Sequence, residues 1–156
     1  MAADVTIMAL PSFAGGDGAG RPQILLQRDG VWCNLSTRDP IDLSTSRREV
    51  GQGLNGLMAR VVKHPAEAPW PKLFTIGFVE LYQRLVPPPL REILKAAAAT
   101  AVGDDMPILR IHTADAIDWI PWELMHDGIG FLGLRFQVVR LPIVPTIPDP
   151  LHNQPY

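Results

Sequence analysis

Residues 107–142 read PILRIHTADAIDWIPWELMHDGIGFLGLRFQVVRLP, and their pattern is strand, short helix, strand. Pro107 opens the apolar run Ile108-Leu109-Arg110-Ile111, rich enough in β-branched residues for a buried strand over 107–113. Thr113, Asp115 and Asp118 then offer oxygens for turns or helix caps. Ile120 precedes a proline and is pushed toward extended backbone. Pro121 suits the first position of a helix, where its missing N–H costs nothing. Trp122, Leu124 and Met125 supply the apolar mass of one or two helical turns. Asp127-Gly128 is a turn signal, and 131–141 reads as a second strand with Leu132, Leu134, Phe136 and Val138 on one face.

The run Ile120-Pro121-Trp122-Glu123-Leu124-Met125, followed by Asp127, Phe131-Leu132 and Phe136-Val138-Arg140-Leu141-Pro142, resembles the signature of CHAT domains. These are caspase-like domains related to the separase and caspase peptidases. A looser similarity reaches back to Leu81-Tyr82 and Leu85-Val86-Pro87-Pro88, which resemble the helical lead-in of the family. The resemblance implies an α/β fold, the N-terminal part of a caspase-like α/β/α domain with an incomplete sheet. It makes Ile120, Pro121, Trp122, Glu123, Leu124, Asp127, Phe131, Leu132, Arg140 and Pro142 structural motif residues. In the family the catalytic His and Cys lie downstream of this motif, in a His-Gly and an Ala-Cys element. Here no His-Gly dipeptide occurs, the only cysteine is Cys33, and 14 residues follow Pro142. The expectation is therefore a chain that lacks the catalytic half and has no catalytic residues of its own.

With 156 residues the chain can close a core as one domain. A formal charge of −2 argues against nucleic acid as a partner. No apolar run approaches the ~18 residues of a membrane span, and the N-terminus lacks the basic start of a signal peptide. One cysteine cannot form an internal disulfide, which points to a reducing, cytoplasmic setting. Five prolines fall between Pro142 and Pro155; they exclude helix and central strand, so 143–156 is expected to be an extended tail after a folded unit over 1–142.

Ahead of the motif, Val5 to Leu10 reads as a strand and 11–22 as a Gly-rich loop. Residues 23–35 read as a hairpin turning at Arg28-Asp29-Gly30. Ser46 and Glu49 resemble a capping box for a helix to about Lys63, with Val50, Leu54, Leu57, Met58 and Val61 on its apolar face. A second helix starts at Pro71 with the stripe Phe74, Phe78, Leu81, Tyr82 and Leu85, and Pro87-Pro88-Pro89 breaks it. Leu90, Ile93, Leu94, Ala97 and Ala101 mark a third helix, ended by Gly103.

Four groups could carry chemistry. Gly51, Gly53 and Gly56 match the spacing of a dinucleotide fingerprint, but they follow a helix start rather than a strand, so tolerated helix glycines are the better reading. Gly15, Gly16, Gly18 and Gly20 lack the Lys and Ser/Thr of a phosphate loop. Cys33 and His64 would need an oriented hydrogen bond to act as nucleophile and base, and a buried, inert Cys33 is favoured. His112 and His126, with Asp115, Glu123 and Asp127, fit no zinc spacing; His126 is better explained by a helix C-terminus. No cofactor or metal is expected. Glu123 is assigned to dipole compensation at a helix N-terminus, with a salt bridge to Arg135 or Arg140 as its alternative.

Two functions follow as expectations. The first is the non-catalytic scaffold of a CHAT-type cysteine peptidase, whose partner is the missing catalytic half or another protein chain. The second is a self-contained, non-enzymatic interaction module of peptidase-like fold. In the first, the unfinished sheet is expected to expose the strand at 131–141 or at 107–113 and to self-associate through it, whereas an edge already satisfied would point to the second.

Overall fold

Alternating burial along Val5–Leu10, where Val5, Ile7 and Ala9 are buried and the residues between them are not, sets one face of a sheet toward the core. In the computed structural model, which describes residues 3–11, 22–35 and 70–143 with positions 48, 51, 52 and 55 between them, the chain is mixed α/β. The strands are β1 (Val5–Leu10), β2 (Gln23–Arg28), β3 (Val31–Asn34), β4 (Ile108–Thr113) and β5 (Gln137–Pro142). They form one sheet in the order β3-β2-β1-β4-β5. The pairs β1/β2 and β2/β3 are antiparallel, whereas β1/β4 and β4/β5 are parallel. The hairpin turn is the expected one: Asp29 (φ 49°) and Gly30 (φ 78°) both take the positive φ that a tight two-residue turn demands.

Helices α1 (Trp70–Leu85) and α2 (Pro88–Ala98) lie on the core face. Phe78, Leu81, Tyr82 and Leu85 of α1, with Leu90, Leu94 and Ala97 of α2, are buried against Val5, Ile7, Ile24, Leu26, Leu109 and Ile111 of the sheet. Pro88 stands in the first turn of α2, where it needs no donor. Arg91 then donates back to the carbonyls of Val86 and Gln83, closing the end of α1. The third helix stops at Ala98, short of Ala101. Gly103, at φ 61°, serves a turn closed by the Val102–Asp105 bridge rather than a helix cap.

Two expectations for 107–142 are corrected. The strand at 107–113 is no edge: β4 lies between β1 and β5. The second strand does not begin at Phe131. Residues Leu132–Arg135 form a helical turn, α3, in which the Phe136 N–H bonds to the Leu132 carbonyl, and β5 starts at Gln137. Leu132 and Phe136 are buried as expected, but Leu134 is 76% exposed. The four-residue spacing of Leu132 and Phe136 satisfies a helix as well as a strand, and Leu134, two residues along, separates the two.

The Gly-rich loop, His64 and the tail from 144 lie outside the described residues, as do Gly53 and Gly56. Arg48, Gly51, Gln52 and Asn55 are helical, in agreement with a helix over 46–63.

Candidate functional site

The segment between β4 and β5 carries most of the motif residues. Two single turns of 3-10 helix, Asp115–Ile117 and Trp122–Leu124, replace the expected helix. Pro121 does not occupy a helical position; at ψ 69° it precedes the second turn. The apolar side chains Ile117, Ile120, Trp122 and Met125 fold inward and are buried, with Leu124 partly so. Trp122 is 1% exposed, and its indole N–H has no hydrogen-bond partner among the described residues.

Glu123 is not a helix-dipole residue. A three-residue turn has almost no dipole to compensate, and the carboxylate is taken by Arg140 of β5. The Arg140 Nε bonds Oε1 at 2.8 Å and Nη2 bonds Oε2 at 2.5 Å, a two-pronged pair. The same guanidinium donates to the carbonyls of Asp118 (2.7 Å) and Ile120 (2.9 Å) and reaches the Asp118 carboxylate at 3.3 Å. One side chain on the last strand thus gathers both ends of the loop 118–123. The Arg140 hydrogen bonds hold the Glu123 carboxyl below its ordinary value, against a smaller opposing effect of burial. Gly133 of α3 lets the next segment pass: a Cβ there would stand 3.1 Å from the Glu123 carbonyl oxygen.

Arg135, the other cation considered for Glu123, pairs instead with Asp127. Asp127 Oδ1 also accepts from the N–H groups of Ile129 (2.9 Å) and Gly130 (3.0 Å), so it builds the turn that the Asp127-Gly128 signal announced. His126 stands edge-on to Phe131, 4.9 Å between ring centres, and its Nδ1 accepts from the Gly128 N–H at 3.0 Å. His112 lies in β4 edge-on to Trp32, 5.8 Å away. Among the described residues no group of three or more His, Cys, Asp or Glu side chains is placed to hold a metal ion. Cys33 pairs with Leu26, whose side chain is buried on the core face, so it points away from the face that carries Trp32 and His112. The structure brings no His to it among the described residues.

What remains chemically available is backbone. The N–H of Gln137 bonds to Pro107 and that of Ile143 to Thr113, so the odd-numbered residues of β5 aim their peptide groups at β4. Val138 and Arg140 aim N–H and C=O outward, and Pro142 aims a carbonyl alone. Among the described residues no strand lies there. Val139 and Leu141 add half-buried apolar surface on the face away from the core, while the one charged side chain of the strand, Arg140, is folded inward. Beside the start of β5 lies a cavity of about 520 Å³ lined by Asp104, Asp105, Met106, Glu123, Phe136 and Val138. Sequence reasoning named this strand as one of two candidates for the edge, but not which of its peptides face outward, because that depends on the register against β4.

No family model, no curated protein and no solved structure matches the chain.

Proposed function

We propose that this chain is the non-catalytic, N-terminal scaffold of a CHAT-type, caspase-like cysteine peptidase, and that it acts by accepting a further polypeptide strand at β5. The observation that carries the reading is the open side of β5, where among the described residues no strand pairs with the outward peptides of Val138 and Arg140. The motif supports it: Ile120, Trp122 and Leu132 are core, Glu123 and Arg140 are bonded to each other, and Pro142 ends the strand. Strand addition draws affinity from main-chain hydrogen bonds, which suits an assembly joint and requires no catalytic group on this side. A self-contained interaction module is the second reading, favoured by a core that the described residues close around Trp122 without outside help.

Incubating the chain with a broad peptide library, with and without thiol alkylation, tests the non-catalytic assignment. No alkylation-sensitive turnover is expected. Turnover that alkylation abolishes, and that Cys33→Ala also abolishes, would overturn it. In both readings the partner is protein. Among the described residues no helix is long and apolar enough to cross a membrane.

A further inference from the structure

The outward peptides of β5 also define what can pair with them. We infer that, in the isolated chain, β5 pairs with β5 of a second copy, antiparallel and centred on Val139, to give one continuous ten-stranded sheet. The inference rests on the reading of β5 as an interface and commits to its occupant.

The register follows from three observations. First, a two-fold axis through a sheet edge presents the same strand antiparallel to itself. Outward-pointing peptides must face outward-pointing peptides, so the centre falls on a whole residue. Second, centring on Val139 sets Val138 opposite Arg140 of the second copy, and the reverse. Each of these pairs can exchange two hydrogen bonds, because the N–H and C=O of both residues are free of β4. Centring on Arg140 gives no more bonds, since Pro142 brings no donor. It would also place two guanidinium-bearing residues directly opposite each other, which is unfavourable. Third, the Val139 register brings Pro142 of the second copy opposite Phe136, beside the cavity lined by Met106, Phe136 and Val138. On the other face Val139 meets its own copy, an apolar β-branched pair. The strand has no outward charge to prevent the contact, because Arg140 is spent on Glu123, Asp118 and Ile120.

Sedimentation of the full chain over a wide concentration range, with Val139→Lys and Val139→Glu, is the test. The wild type is expected to shift reversibly to the mass of two chains. Each variant alone is expected to stay at the mass of one chain, since like charges then meet on the axis, and to melt like the wild type at a concentration where the wild type is single. An equal mixture of the two variants is expected to recover the two-chain mass, because opposite charges meet only in this register. A wild-type chain that stays single at the highest concentration overturns the inference, as does a dimer indifferent to both variants. Should either variant fail to fold, protection of the Val138 and Arg140 amides in the wild type, rising with the dimer fraction, serves instead; protection that does not follow the dimer overturns the inference. A single wild-type chain with freely exchanging Val138 and Arg140 amides would leave the scaffold reading in place, with its edge open for a different partner. Slow exchange of those amides in a single chain would end both.

Discussion

Trp122→Ala is expected to destabilise the chain by about 3–5 kcal/mol, the range for removing a large aromatic from a packed core. Trp122 is among the largest fully buried side chains and sits between Ile120, Met125, Leu132 and Phe136 in chain order, all of them buried. The loop around it is held by single turns and side-chain bonds, with little regular backbone structure to keep its shape once the ring is gone. Trp122→Phe separates packing from polarity. The indole N–H has no acceptor among the described residues, and a buried unpaired donor costs about 1–3 kcal/mol. Phenylalanine removes that cost together with some volume, so this variant is expected to fall well short of the alanine loss. Chemical denaturation of the three proteins is the check. A Trp122→Ala chain as stable as its parent would mean that the ring does not anchor the motif.

Arg140→Ala is expected to cost about 2–3 kcal/mol. Bonds to a charged donor contribute ~1.5–3 kcal/mol each where water is excluded, but here the Arg140 side chain is 29% and the Glu123 side chain 41% exposed, so solvent takes much of that back. The variant strips the Asp118 and Ile120 carbonyls and the Glu123 carboxylate together. Its pH dependence identifies the mechanism. Arg140 holds the folded-state Glu123 carboxyl below its ordinary value of 4.5, so the pair stabilises fully above that pH. The contribution is lost as pH falls through the lowered folded-state value. In the parent, stability should decline below about pH 4.5 with a share due to Glu123; in Arg140→Ala and in Glu123→Gln that share should vanish. Equal acid slopes in all three would show that the ion pair contributes nothing.

The strands and helices that carry a strict period were legible in the sequence: β1, the 23–35 hairpin, the apolar stripe of α1 and that of α2 from Leu90, although Pro88 and Pro89, read there as breakers, open α2. Within 120–142 the apolar positions Ile120, Trp122 and Leu132 were legible as core. Its chemistry was harder to read. Glu123 two residues after a proline looks like a helix-start acid, and only the return of β5 seventeen residues later puts Arg140 against it. Arg135 and Arg140 are equally available to Glu123 in sequence; the helical turn at Leu132–Arg135 rotates Arg135 toward Asp127 instead. That turn was itself hidden because Leu132 and Phe136 fit both periods. The free peptides of β5 carry no side-chain signal, since direction of a backbone N–H follows from register and not from residue type.

Residue-resolved amide exchange along β5, at a concentration where sedimentation shows one chain, tests the open edge itself. Val139 and Leu141 should exchange slowly, their N–H groups aimed at β4, while Val138 and Arg140 exchange at nearly the rate of unstructured peptides. Val138 and Arg140 protected as strongly as Val139 and Leu141 in the single chain would contradict this: the far side of β5 would then be covered already, with no place left for a joining strand.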